Sequence, residues 1–132
     1  SKEELLRTAD HVVLVLPYTA QNHHTIGAAE IAMMKPTATL INIARGGIVD
    51  DLALAQALQS GKIFAAGLDV FEGEPQVHPE LLKCSNIVLA PHIASATEKT
   101  RRAMVDLAVE NLRAALAGKK PPSLINSEIF KN

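Results

Sequence analysis

Charged residues and a histidine follow short apolar runs of this sequence at positions where they could do chemistry. Arg45 comes after ATLINIA and before two glycines, and Asp69 lies near the end of IFAAGLDV. Glu72 and Glu74 follow in the next loop, and His92 comes after NIVLA. Arginine can hold a carboxylate through two parallel hydrogen bonds, and histidine can give or take a proton near neutral pH. A carboxylate beside histidine stabilises its charged form. These residue types suit the binding and protonation of a small acid.

Each of these residues also has an ordinary structural interpretation. Arg45 is acceptable as a solvated surface residue, and His92 as the cap of the helix that follows it. Asp69 is harder to explain in this way, because an unpaired carboxylate within a buried strand is costly. Glu72 and Glu74 are both plausible loop charges, and chemistry alone does not choose between them.

The pattern of apolar residues predicts strands alternating with helices. The strands are expected at 12–16, 38–44, 63–70 and 86–90, with an irregular, proline-marked segment between the last two. Helices are expected at 2–8, 27–34 and 52–60, and a long one from about Ser95 to Ala117. Ser1 with Glu4, and Ser95 with Glu98, have the spacing of a capping box. Asp50 or Asp51 is expected to cap the third helix.

Strands that are apolar on both faces and separated by helices are typical of an α/β fold with a parallel sheet covered on both sides. Right-handed crossovers bring the C-terminal ends of all four strands to one edge. Open α/β sheets bind ligands at that edge. We therefore expect Arg45, Asp69, one of the two glutamates and His92 to lie near one another.

Composition excludes several classes of function. A net charge of −1 with no basic cluster, and few aromatic residues, argue against nucleic acid as a partner. The single cysteine, Cys84, excludes an internal disulfide. The apolar runs are too short to span a bilayer, and the first residues resemble no signal peptide. A cytoplasmic protein that binds no membrane is therefore expected.

The sequence offers no local metal or phosphate motif. His11, His23, His24 and His78 have no second ligand at metal-binding spacing, so we predict no metal site. There is no G-x-G-x-x-G motif and no P-loop. The residues of this chain alone therefore provide no loop that would bind phosphate.

Four stretches together resemble the D-isomer-specific 2-hydroxyacid dehydrogenases. They are ADHVVLVLPYTAQNHHTIG, MKPTATLINIARGGIVDDLALAQAL, AAGLDVFEGEP and NIVLAPHIASAT. They are similar, in the same order, to the C-terminal part of the NAD(P)-binding domain of that family, and they cover nearly the whole chain. The wording is closest to the glyoxylate/hydroxypyruvate reductase and 2-ketogluconate reductase branch.

The resemblance implies a role for each site residue. Arg45 would hold the carboxylate and carbonyl oxygen of the substrate, and His92 would protonate the keto oxygen. Glu74 would be the partner of His92, which leaves Glu72 a spectator, and Asp69 would orient the nicotinamide carboxamide. The residues at the cofactor, NAD or NADP, would be Leu16, Pro17, Thr25, Ile43, Ala44, Arg45, Asp69, His92, Ala94 and Ser95. Ala94 stands where the family usually has glycine.

The resemblance also implies a fold and a reaction. The fold would be half of a Rossmann-type doubly wound parallel sheet plus a long C-terminal helix, with 1–118 in the dinucleotide-binding domain and 119–132 a tail towards a substrate domain. The parent would be a homodimer that reduces a small 2-keto acid to the D-2-hydroxy acid. The glycine-rich loop and the NAD or NADP selector would precede Ser1, so we expect a fragment that is inactive alone. Its exposed first strand would favour self-association.

Two other classes of function share features with this sequence. A non-catalytic, dinucleotide-sensing module is one alternative, because a relative of this family is a transcriptional corepressor. The presence of Arg45, Glu74 and His92 together favours an enzyme. A receiver-like signalling domain would need acidic residues after the first strand, and PYTAQNHH has none.

Overall fold

A computed structural model describes residues 1–130, and the chain forms two compact units. The first unit, Ser1–Ala94, contains a parallel sheet with helices. The second unit begins at Ser95 and contains a long helix. The predicted α/β class is confirmed.

Four strands form one parallel sheet in the order β1-β2-β3-β4. They are β1 (His11–Leu14), β2 (Thr39–Asn42), β3 (Ala65–Leu68) and β4 (Ile87–Leu89). The register pairs the last residues of neighbouring strands, namely Leu14, Asn42, Leu68 and Leu89. All four strands therefore end at the same edge of the sheet, as the sequence predicts.

The strands are shorter than the apolar runs that predicted them. The first run, 12–16, gives a strand that begins one residue earlier and ends at Leu14. Val15 and Leu16 lie beyond the strand and line a cleft at the sheet edge. Val15 is 75% exposed there, so an apolar run need not be paired or buried along its whole length.

Three helices accompany the sheet in the first unit. They are α1 (Lys2–Thr8), α2 (Ala28–Met33) and α3 (Asp51–Gln59). The predicted capping box at Ser1 is present, since the Ser1 side chain accepts a hydrogen bond from the Glu4 N–H at 3.1 Å. Of the two candidate caps of α3, Asp50 is the cap, and its Oδ1 accepts the Ala53 N–H at 2.9 Å.

The helices of the first unit pack on one another, α1 against α2 and α2 against α3. Because each strand lies beside the preceding one and such crossovers share one hand, the helices fall on one face of the sheet. The other face carries Val13 and Val88, which are 51% and 71% exposed. Within the first unit taken by itself, the helices cover one face of the sheet, and not both faces as the sequence predicts. When consecutive strands are neighbours in the sheet, the right-handed connections place the intervening helices on one face only.

The connection between β3 and β4 is irregular, as predicted. It contains a single short 3₁₀ turn, Leu81–Lys83, which packs against α3 through the fully buried Leu81. This segment carries Glu72 and Glu74. Its course is therefore set by side-chain and backbone contacts with its neighbours more than by helical hydrogen bonds.

The second unit contains α4 (Glu98–Leu116), and its cap differs from the prediction. Thr97 is the N-cap, and its Oγ1 accepts the Thr100 N–H at 3.1 Å. The predicted capping box of Ser95 with Glu98 is wrong, because Glu98 is the first helical residue and not the third. Within residues 1–130, no α4 residue is buried, and no helix is long and apolar enough to cross a bilayer.

The tail after α4 folds back along the helix. The Ser123 N–H donates to Asn111 Oδ1 at 3.0 Å, and a 3₁₀ turn follows at Ser127–Ile129. The last two residues of the predicted tail, 131–132, lie outside the described residues. The assignment of 119–132 to a return towards a substrate domain stays a prediction.

The turn after β2 touches the segment after β3 backbone to backbone. A Cβ built on Gly46 would lie 1.8 Å from the carbonyl oxygen of Phe71 and 2.9 Å from the amide nitrogen of Glu72. No side chain fits in that space, so glycine is required here for close approach. The contact fixes the turn of Arg45 against the segment of Glu74.

We expect Gly46→Ala to destabilise the fold by at least about 2 kcal/mol, because the added methyl group must push two backbone segments apart. Gly67→Ala is the matched control, since its new Cβ would lie 3.9 Å from Ile41. The control should be neutral or stabilising by up to about 1 kcal/mol. Chemical denaturation would measure both, and equal stabilities would refute the close contact.

We expect Thr97→Ala to cost about 1 kcal/mol of helix stability, because the Thr100 N–H loses its acceptor. Ser95→Ala should change stability by less than about 0.5 kcal/mol. Hydrogen exchange at the Thr100 amide is the direct measurement, and it should accelerate in the first variant only. The reverse order of effects would restore Ser95 as the cap.

Candidate active site

The turn after β2 is shaped by a buried asparagine. Asn42, the last residue of β2, is 1% exposed. Its Oδ1 accepts the Ala44 N–H at 3.1 Å, and its Nδ2 donates to the Arg45 carbonyl at 3.1 Å. Sequence reasoning missed this residue. A polar side chain within an apolar run, the feature that marked Asp69, would have identified it.

Arg45 stands exposed at the C-terminal end of β2. Its Nη1 donates to the Ala44 carbonyl at 2.6 Å, which bends the guanidinium back over its own turn. Among residues 1–130, the other N–H groups of this guanidinium make no hydrogen bond. They are available to a ligand, and their forked geometry suits a carboxylate.

A cleft of about 630 Å³ opens beside Arg45. Five of the predicted cofactor residues line it together with Val15 and Tyr18, namely Leu16, Pro17, Ile43, Ala44 and Arg45. Thr25 does not line this cleft, and its hydroxyl donates to the Asn22 carbonyl at 2.8 Å within the turn that precedes α2. The structure thus brings residues from two strand ends into one largely apolar cleft.

His92 and Glu74 form a hydrogen-bonded pair. His92 Nδ1 lies 2.9 Å from Glu74 Oε2, and Glu74 Oε1 accepts the Phe71 N–H at 3.0 Å. An ionised carboxylate only accepts, so Nδ1 of His92 is the donor. Within the described part of the chain, Nε2 of His92 makes no hydrogen bond. This nitrogen is therefore available to exchange a proton with a ligand.

The environment of Glu74 keeps its carboxyl group ionised. Partial burial raises its pKa, but the hydrogen bonds from His92 and Phe71 and the charge of His92 outweigh that effect. The net result is a pKa below the ordinary value of 4.5. Glu74 is therefore an anion throughout the neutral range, and as an anion it accepts the hydrogen bond from His92.

Asp69 holds the loop on which His92 lies. Asp69 is buried, and its two carboxylate oxygens accept the N–H groups of Ile93 at 2.7 Å and Ala94 at 2.8 Å. His92 itself has a φ of 53°, in the left-handed region that non-glycine residues rarely adopt. Surrounding contacts must hold such a residue in place. Asp69 does so by accepting hydrogen bonds from the two peptide N–H groups that follow His92.

A second cleft, of about 620 Å³, has the Glu74–His92 pair as its polar part. Its apolar lining comes from the segments after β3 and β4, namely Phe71, Pro75, Val77, Leu82, Leu89, Ala90 and Pro91. Arg45 lines the other cleft and not this one. The structure therefore pairs Glu74 with His92 directly, and links Arg45 to them through the contact of Gly46 with Phe71.

Asp51 anchors the segment that carries Glu74. It is buried at the start of α3, and its Oδ2 accepts the Glu72 N–H at 3.1 Å. Burial raises the pKa of Asp51, and the negative charges of Glu72 and Asp50 raise it further. The hydrogen bond from the Glu72 N–H and the charge of His78 lower the pKa, but the net shift is upward. The sequence suggested only a capping role for Asp51. Its hydrogen bond with Glu72, 21 residues away, could not be predicted from the local sequence pattern.

Glu72 has contacts of its own with the histidines of the loop after β1. His24 Nε2 lies 2.5 Å from Glu72 Oε1, and His23 Nε2 lies 3.9 Å from the same oxygen. The expectation of no metal site rested on spacing along the chain, and Glu72 is 48 residues from His24. Spacing could not reveal this grouping.

Comparison with known proteins identifies the family. The model of the D-isomer specific 2-hydroxyacid dehydrogenase NAD binding domain matches residues 1–94, which is the first compact unit. The chain is 51% identical over 129 residues to a glyoxylate reductase of Thermococcus gammatolerans, covering 98% of this chain and 39% of that protein. It is 50% identical over 130 residues to glyoxylate/hydroxypyruvate reductase B of Enterobacter agglomerans, with coverages of 98% and 40%.

A solved structure agrees with these relatives. The NADPH-dependent glyoxylate/hydroxypyruvate reductase of Sinorhizobium meliloti, in complex with NADP and malonate, superposes with a TM-score of 0.87 at 38% identity. The match covers all of this chain and 41% of that one. The chain thus spans about two fifths of the length of these relatives. It belongs to the D-isomer specific 2-hydroxyacid dehydrogenase family, and residues 1–94 correspond to the NAD-binding domain.

Proposed function

We propose that the protein carrying this chain reduces a small 2-keto acid, of the glyoxylate or hydroxypyruvate type, to the D-2-hydroxy acid with NADH or NADPH. The observation that carries the proposal is the His92–Glu74 pair, held at 2.9 Å at the edge of the sheet that also presents Arg45. The names of the two reductases, 51% and 50% identical to this chain, support the same substrate class.

The pair is suited to delivering a proton. Reduction of a keto group places negative charge on its oxygen, and a positioned acid that protonates this oxygen lowers the barrier. His92 offers Nε2 for that step, while its Nδ1 stays hydrogen-bonded to Glu74. Glu74 fixes the orientation of the ring through this hydrogen bond. The rest of the cleft that the pair lines is largely apolar.

Arg45 is the proposed anchor for the substrate carboxylate. The N–H groups of Arg45 that make no hydrogen bond within residues 1–130 provide a fork that matches a carboxylate, and a substrate bound in this way has its carbonyl placed for reaction. The same positive charge stabilises the developing oxyanion. The contact of Gly46 with Phe71 holds Arg45 in register with the segment of Glu74.

The cleft beside Arg45 fits a nicotinamide ring. Leu16, Pro17, Ile43 and Ala44 provide apolar walls, and a flat aromatic ring suits such walls. A nicotinamide cofactor would supply the hydride. The family is an NAD-binding one, and the Sinorhizobium meliloti relative is NADPH-dependent, so the choice of NAD or NADP stays open. Asp69, Ala94 and Ser95 remain proposed cofactor contacts, although Asp69 already accepts two backbone hydrogen bonds.

The non-catalytic alternative has less support. The relatives and the structure compared above are named as reductases, and nothing in their names indicates a corepressor. A homodimeric parent, a cytoplasmic location, self-association through β1 and inactivity of the isolated chain stay proposals. The last of these rests on the lack of a phosphate-binding glycine-rich motif within residues 1–132.

We expect the Glu74 carboxyl group to titrate below 4.5, because two hydrogen bonds and the charge of His92 favour its ionised form. As the pH falls through that lowered pKa, Glu74 takes up a proton and the stabilisation from the pair is lost. Carbon-13 NMR of the side-chain carboxyl group would measure the midpoint. In His92→Gln the midpoint should rise, since burial then acts with less opposition. An unchanged midpoint would contradict the pairing.

We expect His92→Asn in the full-length protein to lower kcat for glyoxylate reduction by roughly 10²–10⁴-fold, because the proton donor is removed. Arg45→Gln should mainly raise KM and also lower kcat, since binding and oxyanion stabilisation both weaken. His11→Asn, at the opposite end of β1, is the matched control and should leave both constants unchanged. Full turnover by the first variant in steady-state assays would refute the role of His92.

A further inference from the structure

A group of metal-ligand side chains lies outside the proposed active site. His23 and His24, in the loop after β1, face Glu72 in the segment after β3. One ligand atom from each of the three residues lies within 4.8 Å of the other two. Their side chains are 46%, 35% and 34% exposed, so an ion from solvent can reach them. We call these three residues the His–His–Glu cluster.

The cluster points its ligand atoms inwards. Nε2 of each histidine faces the same oxygen of Glu72, at 2.5 Å for His24 and 3.9 Å for His23. The rings are stacked, with centroids 3.8 Å apart and an interplanar angle of 23°. Two ligands that are each 2.0–2.1 Å from one Zn²⁺ lie at most about 4.2 Å apart. Small side-chain rotations therefore bring all three atoms to coordinating distance.

The outward nitrogens of the two rings both face oxygen atoms, and that of His23 is within hydrogen-bond distance of its oxygen. His23 Nδ1 lies 3.3 Å from the Tyr18 hydroxyl, and His24 Nδ1 lies 3.7 Å from a carboxylate oxygen of Asp50. Metal-ligating histidines are usually oriented in this manner, with the second ring nitrogen on a carboxylate or another oxygen. Asp50 also adds negative charge next to the cluster, which favours a cation.

The backbone beneath the cluster is fixed at both ends. The N–H of His24 donates to the Gly47 carbonyl at 2.8 Å. The N–H of Glu72 donates to the buried Asp51 at 3.1 Å. Each of the two loops is thus held by a backbone hydrogen bond that does not involve the His–His–Glu side chains. The ligands are therefore preorganised, and binding an ion requires little further ordering of the chain.

We propose that His23, His24 and Glu72 bind one divalent transition-metal ion of the Zn²⁺ type. Two imidazole nitrogens and one carboxylate oxygen suit Zn²⁺, Ni²⁺ or Cu²⁺ and disfavour Mg²⁺ and Ca²⁺, which prefer oxygen ligands. Binding replaces the hydrogen bond between His24 and Glu72, and the neutral His24 ring ligates through Nε2 as the tautomer that carries its proton on Nδ1, towards Asp50. Water completes the coordination.

The bound ion would join the loop after β1 to the segment that carries Glu74. Glu72 precedes Glu74 by two residues, so the ion would restrain this segment near the proposed catalytic pair without contacting it. The binding of the ion does not depend on the proposed reductase activity. It is tested by metal binding alone, so failure of one proposal leaves the other standing.

Zinc titration of the metal-stripped full-length protein, followed by isothermal titration calorimetry near pH 7.5, tests the site. We expect one Zn²⁺ per chain and no response to Mg²⁺. His23→Ala, an exposed position whose loss should not affect folding, should weaken binding by at least about tenfold. Glu72→Gln should weaken it likewise, and because it keeps the backbone contact with Asp51 it serves if the first variant is unstable. His11→Ala is the matched control and should bind as the unmodified protein does.

Three outcomes would overturn the proposal. The first is the absence of saturable Zn²⁺ binding to the unmodified protein, and the second is unchanged binding by both cluster variants. The third is equal weakening in His11→Ala, which would indicate general binding by surface histidines. Substitution by Co²⁺ adds a direct readout, because ligation by the cluster should give visible absorption bands that disappear in Glu72→Gln.

Discussion

The buried carboxylate of Asp69 is the constraint on which the site depends. It accepts the N–H groups of Ile93 and Ala94, and so fixes the chain immediately after His92. His92 has a left-handed backbone, and a residue in that region persists only where its surroundings hold it. Without those two hydrogen bonds, two peptide N–H groups would lose partners at a cost of about 1–3 kcal/mol each where they are shielded from water. The ring of His92 would then lose its orientation towards Glu74.

Similar contacts hold the other strand ends. Asn42 shapes the turn of Arg45, Asp51 accepts the backbone N–H of Glu72, and Gly46 lies directly against Phe71. In each case, a short polar side chain or a bare backbone holds a segment that follows a strand. The charged side chains that a ligand would meet are therefore placed by contacts beneath them. Such preorganisation lowers the cost of bringing reacting groups together.

The sequence predicted the order of elements and the pairing of His92 with Glu74, but not the contacts that position them. Alternation of apolar runs and helices was sufficient for the parallel sheet, because each element is encoded within about ten residues. The resemblance to a family chose Glu74 over Glu72, a choice that chemistry alone left open. The alternation of apolar runs and helices could not predict the N-cap at Thr97, nor that the helices of the first unit cover one face of the sheet. The first depends on where a helix begins to within two residues, and the second on strand order across the whole sheet.

A different reason explains why the sequence did not reveal the contacts of Asn42 and Asp51. The same reason applies to the grouping of Glu72 with His23 and His24. Their partners are distant in sequence or lie on the backbone, so that side-chain types at fixed spacing carry no trace of them. Only Asn42 had a local sign, as a polar residue in an apolar run. Long-range polar contacts of this kind require coordinates.

The contact of Gly46 with Phe71 has an evolutionary consequence. Where two loops share a van der Waals boundary with no side chain between them, neither can shift without the other. Insertions and deletions should accordingly be excluded from both loops in related sequences, while the outer parts of α2 and the tail after α4 remain free to vary in length. The two strand ends that carry Arg45 and Glu74 should then be inherited as one block.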